Sequence, residues 1–364
     1  MENCKKVGII TFHAADNYGA VLQAYALQTT LSVQGHNAEI IDFKPDGVIK
    51  ANKPLFVQDK NLVKRLLKQA LILPNYTKLN RRNRKFEEFR NKYFKLSTRF
   101  KTATEIKNAA VDYDVCITGS DQVFNPLIHN SDIYYLDFCP KATKAAYAPS
   151  FGIKDFSFVG EKTKTLINNF AHLSCRESDG AEFLSSETGK SVPTVTDPVF
   201  LLSPQEWTQI TTKPKNEKYI FVYDLNGGKK LIEIANKIKQ ETGLPIICIT
   251  ARKFSNTKYA VDELHIDAGP QEFVSYINHA SYVVTDSFHG LAFSVLFRKK
   301  VISYVALKHA ASRIQSLLGQ LGLTDRIFYN VNDFDFKNVE FKEYDDKLEQ
   351  LITSSKQYLN NIFK

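Results

Sequence analysis

The sequence lacks the features that mark several large protein classes. Its five cysteines, Cys4, Cys116, Cys139, Cys175 and Cys248, are widely spaced and form no CxxC pair. Neither a disulfide scaffold nor a cysteine zinc site is expected, and a reducing cytoplasm fits this cysteine usage best. No apolar run reaches the roughly 18 residues that a transmembrane helix needs. A cationic start followed by a long apolar segment is also missing, so no secretory signal is expected.

The composition of the chain is that of a globular protein. It has 364 residues, of which 43% are hydrophobic and 24% charged, with 16 glycines and 12 prolines. Such values exclude a disordered, collagen-like or coiled-coil chain. The length suggests two domains, each large enough to bury a core.

Short apolar runs alternate with amphipathic stretches along the whole sequence. The pattern predicts strands at 7–12, 38–43, 113–118, 142–148, 173–175 and 192–196, and then at 219–223, 245–249, 282–285 and 301–304. A polar stretch at 211–218 separates the two sets and resembles an interdomain linker. We therefore expect an α/β fold with two Rossmann-like, doubly wound domains facing across a cleft, at 1–210 and 218–330. A terminal helix at 343–364 is expected to pack across both domains.

Positive charge is concentrated in one segment, residues 60–101. It holds fourteen basic residues against only Glu87 and Glu88, in a chain whose net charge is +9. Apolar residues recur there every three to four positions, which predicts a helical insertion with basic outer faces. An ordinary solvated face and peripheral docking on an anionic membrane both fit this pattern. Nucleic acid is not expected as a partner, because no helix-turn-helix, zinc-finger or RNA-binding signature is present.

In doubly wound folds ligands bind where strands end and helices begin. The first such junction contains Asn17, Tyr18 and Gly19. Asn17 can cap the following helix, and Gly19 allows another backbone or a ligand to approach closely. The junction has one glycine and is not a dinucleotide-binding loop. A capped helix with a packing glycine is the alternative interpretation.

The junction after strand 113–118 gathers hydrogen-bonding side chains from Ser120, Asp121, Gln122 and Asn125. These residue types can hold the hydroxyl groups of a sugar. Asp121 could also accept a proton from an attacking hydroxyl, as a general base does. A plain turn or helix start is the alternative.

Cationic residues follow two other predicted strands. Arg176 comes after strand 173–175, where it could hold a carboxylate or phosphate with two hydrogen bonds or simply form a surface charge pattern with Glu177. Lys308 and Arg313 follow strand 301–304. Together with a histidine described next, these residues predict a site for a polyanion.

The junction after strand 282–285 carries the clearest signal. Ser287, His289 and Gly290 lie at the start of an apolar helix, whose free N–H groups and dipole favour an anion. A histidine there can donate to a phosphate or supply a proton. A structural histidine is the alternative.

Five blocks taken in order, the first in two parts, resemble the polysaccharide pyruvyl transferase family, over about residues 5–325. They are NYGA at 17–20, QAYAL at 23–27, GSDQVFNP at 119–126, RES at 176–178, TDPV at 196–199 and DSFHG at 286–290. The resemblance implies a GT-B-like arrangement and transfer of pyruvate from phosphoenolpyruvate to two hydroxyls of a sugar, which forms a ketal. Members act in the synthesis of bacterial capsule, exopolysaccharide and cell-wall polymers.

The resemblance also implies roles for particular residues. Arg176 and His289 match positions that bind phosphoenolpyruvate, Lys308 matches a downstream basic position, and Asp197 falls in a shared block. Where members often carry an arginine this chain has Ser287, so Arg313 or Lys308 is expected to substitute. Phosphoenolpyruvate is a co-substrate, and neither a cofactor nor a metal is expected. The acceptor is a sugar or a lipid-linked oligosaccharide.

Two other functions remain open from the sequence. A nucleotide-sugar-dependent glycosyltransferase of the same architecture would bind a diphosphate at the helix that begins near His289. A non-enzymatic scaffold would use segment 60–101 to collect other proteins at the cytoplasmic membrane.

Overall fold

A computed structural model describes residues 4–128, 132–211, 213–214, 218–226, 228–253, 259–305, 311–336, 339 and 342–364. Much of the predicted linker at 211–218, and Lys308, lie outside these residues. The described strands form two parallel sheets. The first has four strands in the order β2-β1-β3-β4, with β1 at Lys6–Ile10, β2 at Asn37–Ile40, β3 at Val115–Thr118 and β4 at Thr143–Ala146.

The second sheet has six strands in the order β10-β9-β8-β5-β6-β7. They are β5 (Ile220–Asp224), β6 (Ile246–Thr250), β7 (Glu263–His265), β8 (Tyr282–Thr285), β9 (Lys300–Tyr304) and β10 (Ile327–Phe328). Every residue of β3, β5 and β6 is buried, as expected for parallel strands covered on both faces. The predicted α/β fold with two Rossmann-like units is confirmed.

Helices connect the strands and cover the sheets. In the first half they are α1 (Tyr18–Val33), α2 (Asp46–Asn52), α3 (Leu62–Ile72), α4 (Tyr76–Tyr93), α5 (Ala103–Asn108), α6 (Glu161–Asn168), α7 (Ser178–Thr188) and α8 (Pro204–Thr208). In the second half they are α9 (Lys229–Thr242), α10 (Pro270–His279), α11 (Phe288–Leu296), α12 (Ala311–Leu321) and α13 (Asp345–Asn361).

Two predicted strands, 173–175 and 192–196, are wrong as strands. The first pairs with the second only through an isolated bridge between Cys175 and Thr194. The N–H of Cys175 donates to the carbonyl of Pro193, but Pro193 has no N–H with which to extend the ladder. The short strands β7 and β10 and the helices α2, α5, α8 and α12 were not predicted.

One apolar cluster joins the two sheets. The Tyr18 ring of α1 stacks on Phe273 of α10 with 4.7 Å between ring centroids, and its hydroxyl donates to the carbonyl of Ala268 at 2.7 Å. Phe86 and Phe89 of α4 are buried in the same cluster. The halves of the molecule therefore share one core beside the cleft.

Helix α13 contacts the cores of both halves. Leu348 packs in the cluster shared by the two sheets, whereas Leu359 lies in the core of the first sheet. The hydroxyl of Tyr358 donates to the carbonyl of Ala146, at the end of β4.

Candidate functional site

A cavity of about 210 Å³ lies between the two sheets. The first half contributes Asn17, Asp121 and Gln122, and the second half contributes Tyr223, Leu225, Asn226, Asp286, Ser287, Phe288, His289, Tyr304, Val305, Arg313 and Ile314. Most of these residues follow the carboxyl ends of β1, β3, β5, β8 and β9. The cavity therefore occupies the ligand-binding position of doubly wound folds.

Helix α11 begins at the cavity with a well-formed cap. The side chain of Ser287 accepts a hydrogen bond from the N–H of Gly290 at 3.4 Å. The N–H of Ser287 in turn donates to the hydroxyl of Thr285, at the end of β8. A Cβ on Gly290 would lie 2.6 Å from that hydroxyl oxygen, so glycine lets α11 pack closely on β8. The first N–H groups of the helix have no intrahelical acceptor and favour an anion.

His289 is held between the two halves of the molecule. It is 7% exposed, and its Nε2 lies 3.4 Å from Oδ2 of Asp197. On its other side the ring abuts Gly19 in the first turn of α1: a Cβ on that glycine would lie 1.9 Å from Nδ1 of His289. Among the described residues Nε2 has no hydrogen-bond partner. The imidazole is thus positioned by residues from both halves of the molecule, with Nε2 turned toward Asp197 and Nδ1 toward Gly19.

Asp197 is fixed by Arg176, which lies behind the cavity and does not line it. Nη1 of Arg176 lies 2.7 Å from Oδ2 of Asp197, and the hydroxyl of Ser120 donates to the same oxygen at 2.9 Å. The guanidinium also stacks on the Phe288 ring, 4.4 Å from its centroid. Burial raises the pKa of Asp197, but His289 and Arg176 outweigh that effect and hold it well below its usual range. In this structure Arg176 acts on the cavity through Asp197 and Phe288.

Arg313 is the cation of α12 that lines the cavity. It is partly exposed, and it has no hydrogen-bond partner among the residues that the structure describes. Burial and the nearby charge of Arg176 lower the pKa of Arg313 to about 10. The guanidinium is therefore still charged at neutral pH and available to an anion.

Two carboxylic acids line opposite halves of the cavity. Asp121 follows β3 and adopts the left-handed conformation, with φ of 75°, which is uncommon outside glycine and often marks functional sites. Its Oδ1 accepts from the N–H of Gln122 and lies 3.9 Å from Nη2 of Arg176. Asp286 accepts from the N–H groups of Leu225 and Asn226, both at 2.9 Å. Burial raises the pKa of Asp286, and the hydrogen bonds from these two donors offset only part of that effect.

The structure brings together six of the predicted site residues as cavity lining: Asn17, Asp121, Gln122, Ser287, His289 and Arg313. Seven others lie outside the lining as neighbours or supports: Tyr18, Gly19, Ser120, Asn125, Arg176, Asp197 and Gly290. Asn17 caps α1, and the Asn125 amide donates to the Gln122 side chain at 3.1 Å. The predicted position Lys308 lies outside the described residues.

Several lining residues were not predicted. Tyr223, Leu225 and Asn226 come from β5 and the turn that follows it, and Asp286 comes from the turn after β8. The sequence contains a signal for these residues, because they lie at the ends of strands, as the predicted residues do. Applying the same rule to strand 219–223 would have found Asn226.

Comparison with known families settles the relationship of the chain. The profile of the family described as polysaccharide pyruvyl transferase matches residues 17–307. The chain belongs to this family. The matched region runs from Asn17 to beyond His289 and includes lining residues from both halves of this pyruvyl transferase family member, while Arg313 and Ile314 follow it in the chain. No curated protein sequence matches the chain significantly.

Solved structures with a similar chain path are distant in sequence. A putative UDP-N-acetylglucosamine 2-epimerase from Listeria monocytogenes has 11% identity and a TM-score of 0.49, covering 98% of this chain and 88% of that one. UDP-GlcNAc 2-epimerase from Neisseria meningitidis has 10% identity and a TM-score of 0.49, covering 98% of both chains. The E. coli heptosyltransferase WaaC has 12% identity and a TM-score of 0.41, covering 96% of this chain and 99% of that one.

Proposed function

We propose that this pyruvyl transferase uses phosphoenolpyruvate as donor and forms a ketal across two hydroxyls of a sugar. The proposal rests on one observation: in a member of this family, His289, Arg313 and the start of α11 line the same cavity. Phosphoenolpyruvate is small and carries a carboxylate and a phosphate. A guanidinium, an imidazole and helix N–H groups are the donors that such an anion requires.

The size of the cavity supports a small donor. Its volume of about 210 Å³ is below the 300–1,000 Å³ or so that is usual for sites of drug-sized ligands. A nucleotide sugar, with a base, two sugars and a diphosphate, needs more enclosed space than phosphoenolpyruvate does. The cavity therefore has room for the small pyruvyl donor.

The proposed reaction needs an acid, a base and stabilisation of the leaving phosphate. Protonation of the methylene carbon turns it into a methyl group and leaves an oxocarbenium-like centre on the neighbouring carbon. One sugar hydroxyl attacks that centre, phosphate departs, and a second hydroxyl closes the ring. The methylene carbon gains one proton and the departing phosphate gains another, while the two sugar hydroxyls release two. The reaction therefore balances without an oxidant or reductant.

The residues of the cavity fit these roles. Arg313 and the N–H groups of α11 hold the donor anion, and His289 acts on the phosphate or delivers a proton. Asp121, on the wall of the first half, accepts the hydroxyl proton, while Asn17 and Gln122 beside it bind the sugar. Arg176 contributes as a positioning residue through Asp197.

The acceptor in this proposal is a sugar or a lipid-linked oligosaccharide of bacterial surface polysaccharide synthesis, such as that of capsule or exopolysaccharide. The proposed location is the cytoplasm. The free state of all five cysteines supports a reducing compartment.

Turnover of phosphoenolpyruvate in the presence of a panel of sugar acceptors tests the proposal, with phosphate release and a new ketal methyl signal in proton NMR as readouts. Replacing His289 by Ala should lower turnover by about 10²-fold or more if it transfers a proton. His279→Ala is the matched control. His279 is the last residue of α10, contacts the carbonyl of Ser275 and does not line the cavity. Normal turnover by His289→Ala would remove the residue from the mechanism.

A further inference from the structure

Helix α3 turns its apolar side toward solvent. Six large side chains of the helix and the residue after it are each at least 50% exposed: Leu62, Val63, Leu66, Leu67, Leu71 and Leu73. Ala70 and Pro74 are exposed beside them. Contiguous apolar surface of this kind is rare on a protein that works alone in water and marks an interaction site.

The opposite side of α3 attaches it to the rest of the molecule. Ile72 is the buried residue of this helix, Lys68 pairs with Asp59 at 2.8 Å, and the Gln69 amide donates to the carbonyl of Leu55 at 3.0 Å. A surface helix normally packs its apolar stripe inward and leaves polar residues outside. On α3 the basic residues Lys64 and Arg65 are exposed as predicted, but the apolar face is exposed as well.

The charge around this apolar face has a single sign. Lys60, Lys64 and Arg65 are exposed next to it, and the sequence from 60 to 80 contains no acidic residue. Apolar side chains on one face with Lys and Arg on its margins are typical of helices that lie in the headgroup region of a bilayer. Each basic residue near an anionic membrane contributes on the order of 1 kcal/mol to binding.

The basic residues of α4 are engaged elsewhere. Arg81 pairs with Asp267 at 2.7 Å, Lys85 pairs with Glu272, and Arg90 pairs with Asp16 at 2.9 Å. Arg82 donates to the carbonyl of Ala251. These contacts join α4 to both halves of the molecule, so these four basic residues are held by partners within the protein.

We propose that α3 is a peripheral membrane anchor that inserts its apolar face into the interface of a bilayer rich in anionic lipid. Charge complementarity selects this occupant. A second copy of the chain seated on the same face would bring Lys60, Lys64 and Arg65 toward their own counterparts, whereas anionic headgroups neutralise them. No helix of the described residues is long and apolar enough to span a membrane, and the proposal needs only an interfacial contact.

The position of α3 relates the anchor to the cleft. The helix follows β2 and α2, and the adjoining Asn75 amide donates to the carbonyl of Lys253, shortly after β6, at 3.4 Å. Nζ of Lys253 in turn donates to the carbonyls of Ala51 and Phe56. The anchor is thus tied to segments that leave the carboxyl ends of both sheets, the same ends at which the cavity opens. Docking would hold the cavity near the bilayer, where a lipid-linked acceptor would lie. This use of the anchor rests on the proposed function.

Flotation of the full chain with vesicles tests the anchor without any acceptor. We expect binding to vesicles of equal parts phosphatidylglycerol and phosphatidylcholine, and none to phosphatidylcholine alone. A Leu66→Ser, Leu67→Ser double variant and a Lys64→Glu, Arg65→Glu double variant should each weaken partition on the order of tenfold or more. All four residues are exposed, so the fold is expected to survive, as circular dichroism would verify.

Matched controls separate the proposed face from general charge and apolarity. Lys229→Glu with Lys356→Glu makes the same charge change on α9 and α13, and Val33→Ser removes another exposed apolar side chain. Both controls should bind like the wild type. A wild-type chain that fails to float with anionic vesicles would overturn the proposal. The proposal would also be overturned if the wild type forms a dimer without lipid and the Leu66→Ser, Leu67→Ser double variant is a monomer. The face would then be an interface between copies of the chain.

A fluorescent reporter gives a second readout. The single tryptophan, Trp207, is fully buried, so a Leu67→Trp variant adds one probe on the α3 face. Lipids brominated on their acyl chains should quench this added emission if the face inserts. Unquenched emission from vesicle-bound protein would place the contact elsewhere. Phosphoenolpyruvate binding by the same variants should remain normal, so this test fails or succeeds independently of the proposed reaction.

Discussion

At the scale of single residues, His289 owes its position to a glycine on the other side of the cleft. The backbone of Gly19 lies where any larger residue would collide with the imidazole, and Asp197 lies on the other side of the ring. The close approach explains why this helix start uses glycine although its backbone there needs no unusual φ. The histidine is therefore positioned by residues from both halves of the chain.

Gly19→Ala should displace the imidazole and leave the fold largely intact. A misplacement of about 1 Å at a reacting group can cost roughly 10²-fold in rate, so we expect a loss of that order in phosphate release from phosphoenolpyruvate. Gly47→Ala, in α2, is the matched control, because a Cβ there meets nothing within 4 Å. Wild-type turnover by Gly19→Ala would show that the ring position is unimportant.

The sequence was informative about which positions matter but not about where side chains point. The strand-end rule identified Asn17, Asp121 and His289, since parallel strands bring their carboxyl ends to one edge. Arg176 was expected to hold an anion directly, whereas the structure turns it toward Asp197. That direction depends on the position of Asp197, which is distant in sequence, so no local pattern could reveal it.

At the scale of elements, the two helices of the basic segment behave in opposite ways. Periodicity predicted both as amphipathic, and both are. Periodicity gives the width of the apolar stripe but not the surface that covers it, because that surface comes from elsewhere in the chain. In α4 the stripe meets α1 and α10, and Phe86 is buried; in α3 the stripe is exposed among the residues that the structure describes.

Helix α4 should contribute strongly to stability through its apolar side and weakly through its charges. Phe86 packs on Tyr18 with 5.1 Å between ring centroids, so Phe86→Ala should lower the free energy of unfolding by about 3–5 kcal/mol. Lys85→Ala removes a partly exposed ion pair and should cost less than about 1 kcal/mol. Urea unfolding would measure both. Equal costs for the two variants would refute the assignment of α4 as a core helix.

At the scale of the whole molecule, the fold class followed from buried strands. Parallel strands covered on both faces appear as continuous apolar runs, and β1, β3, β5, β6 and β8 were all predicted in this way. The edge strand β7, with the polar sequence Glu-Leu-His, has no such run and was missed. The packing of the two halves into one core could not be predicted either, because it depends on contacts between residues far apart in sequence, such as Tyr18 and Phe273.

The stability of the molecule should fall in acid as the carboxylate of Asp42 becomes protonated. Burial raises the pKa of Asp42, but hydrogen bonds from His13 and Arg99 lower it to about 2. Since an unfolded aspartate has a pKa of about 3.9, the ionised carboxylate stabilises the fold above that pH, and this contribution is lost as pH falls from there toward 2. Urea midpoints measured across this range should fall, and Asp42→Asn should flatten the fall. The exposed Asp46→Asn should not change it.

Titration calorimetry with phosphoenolpyruvate is the direct test of the proposed donor site. The wild type should bind phosphoenolpyruvate in preference to a panel of nucleotide sugars. Loss of a hydrogen bond to a charged group costs about 1.5–3 kcal/mol, so Arg313→Ala should weaken binding by about 10–100-fold. Arg84→Ala, which removes an exposed arginine of α4 paired with Glu88, should leave it unchanged. The assignment of phosphoenolpyruvate as donor would be wrong if the protein binds a nucleotide sugar but no phosphoenolpyruvate. It would also fail if Arg313→Ala binds phosphoenolpyruvate as tightly as the wild type does.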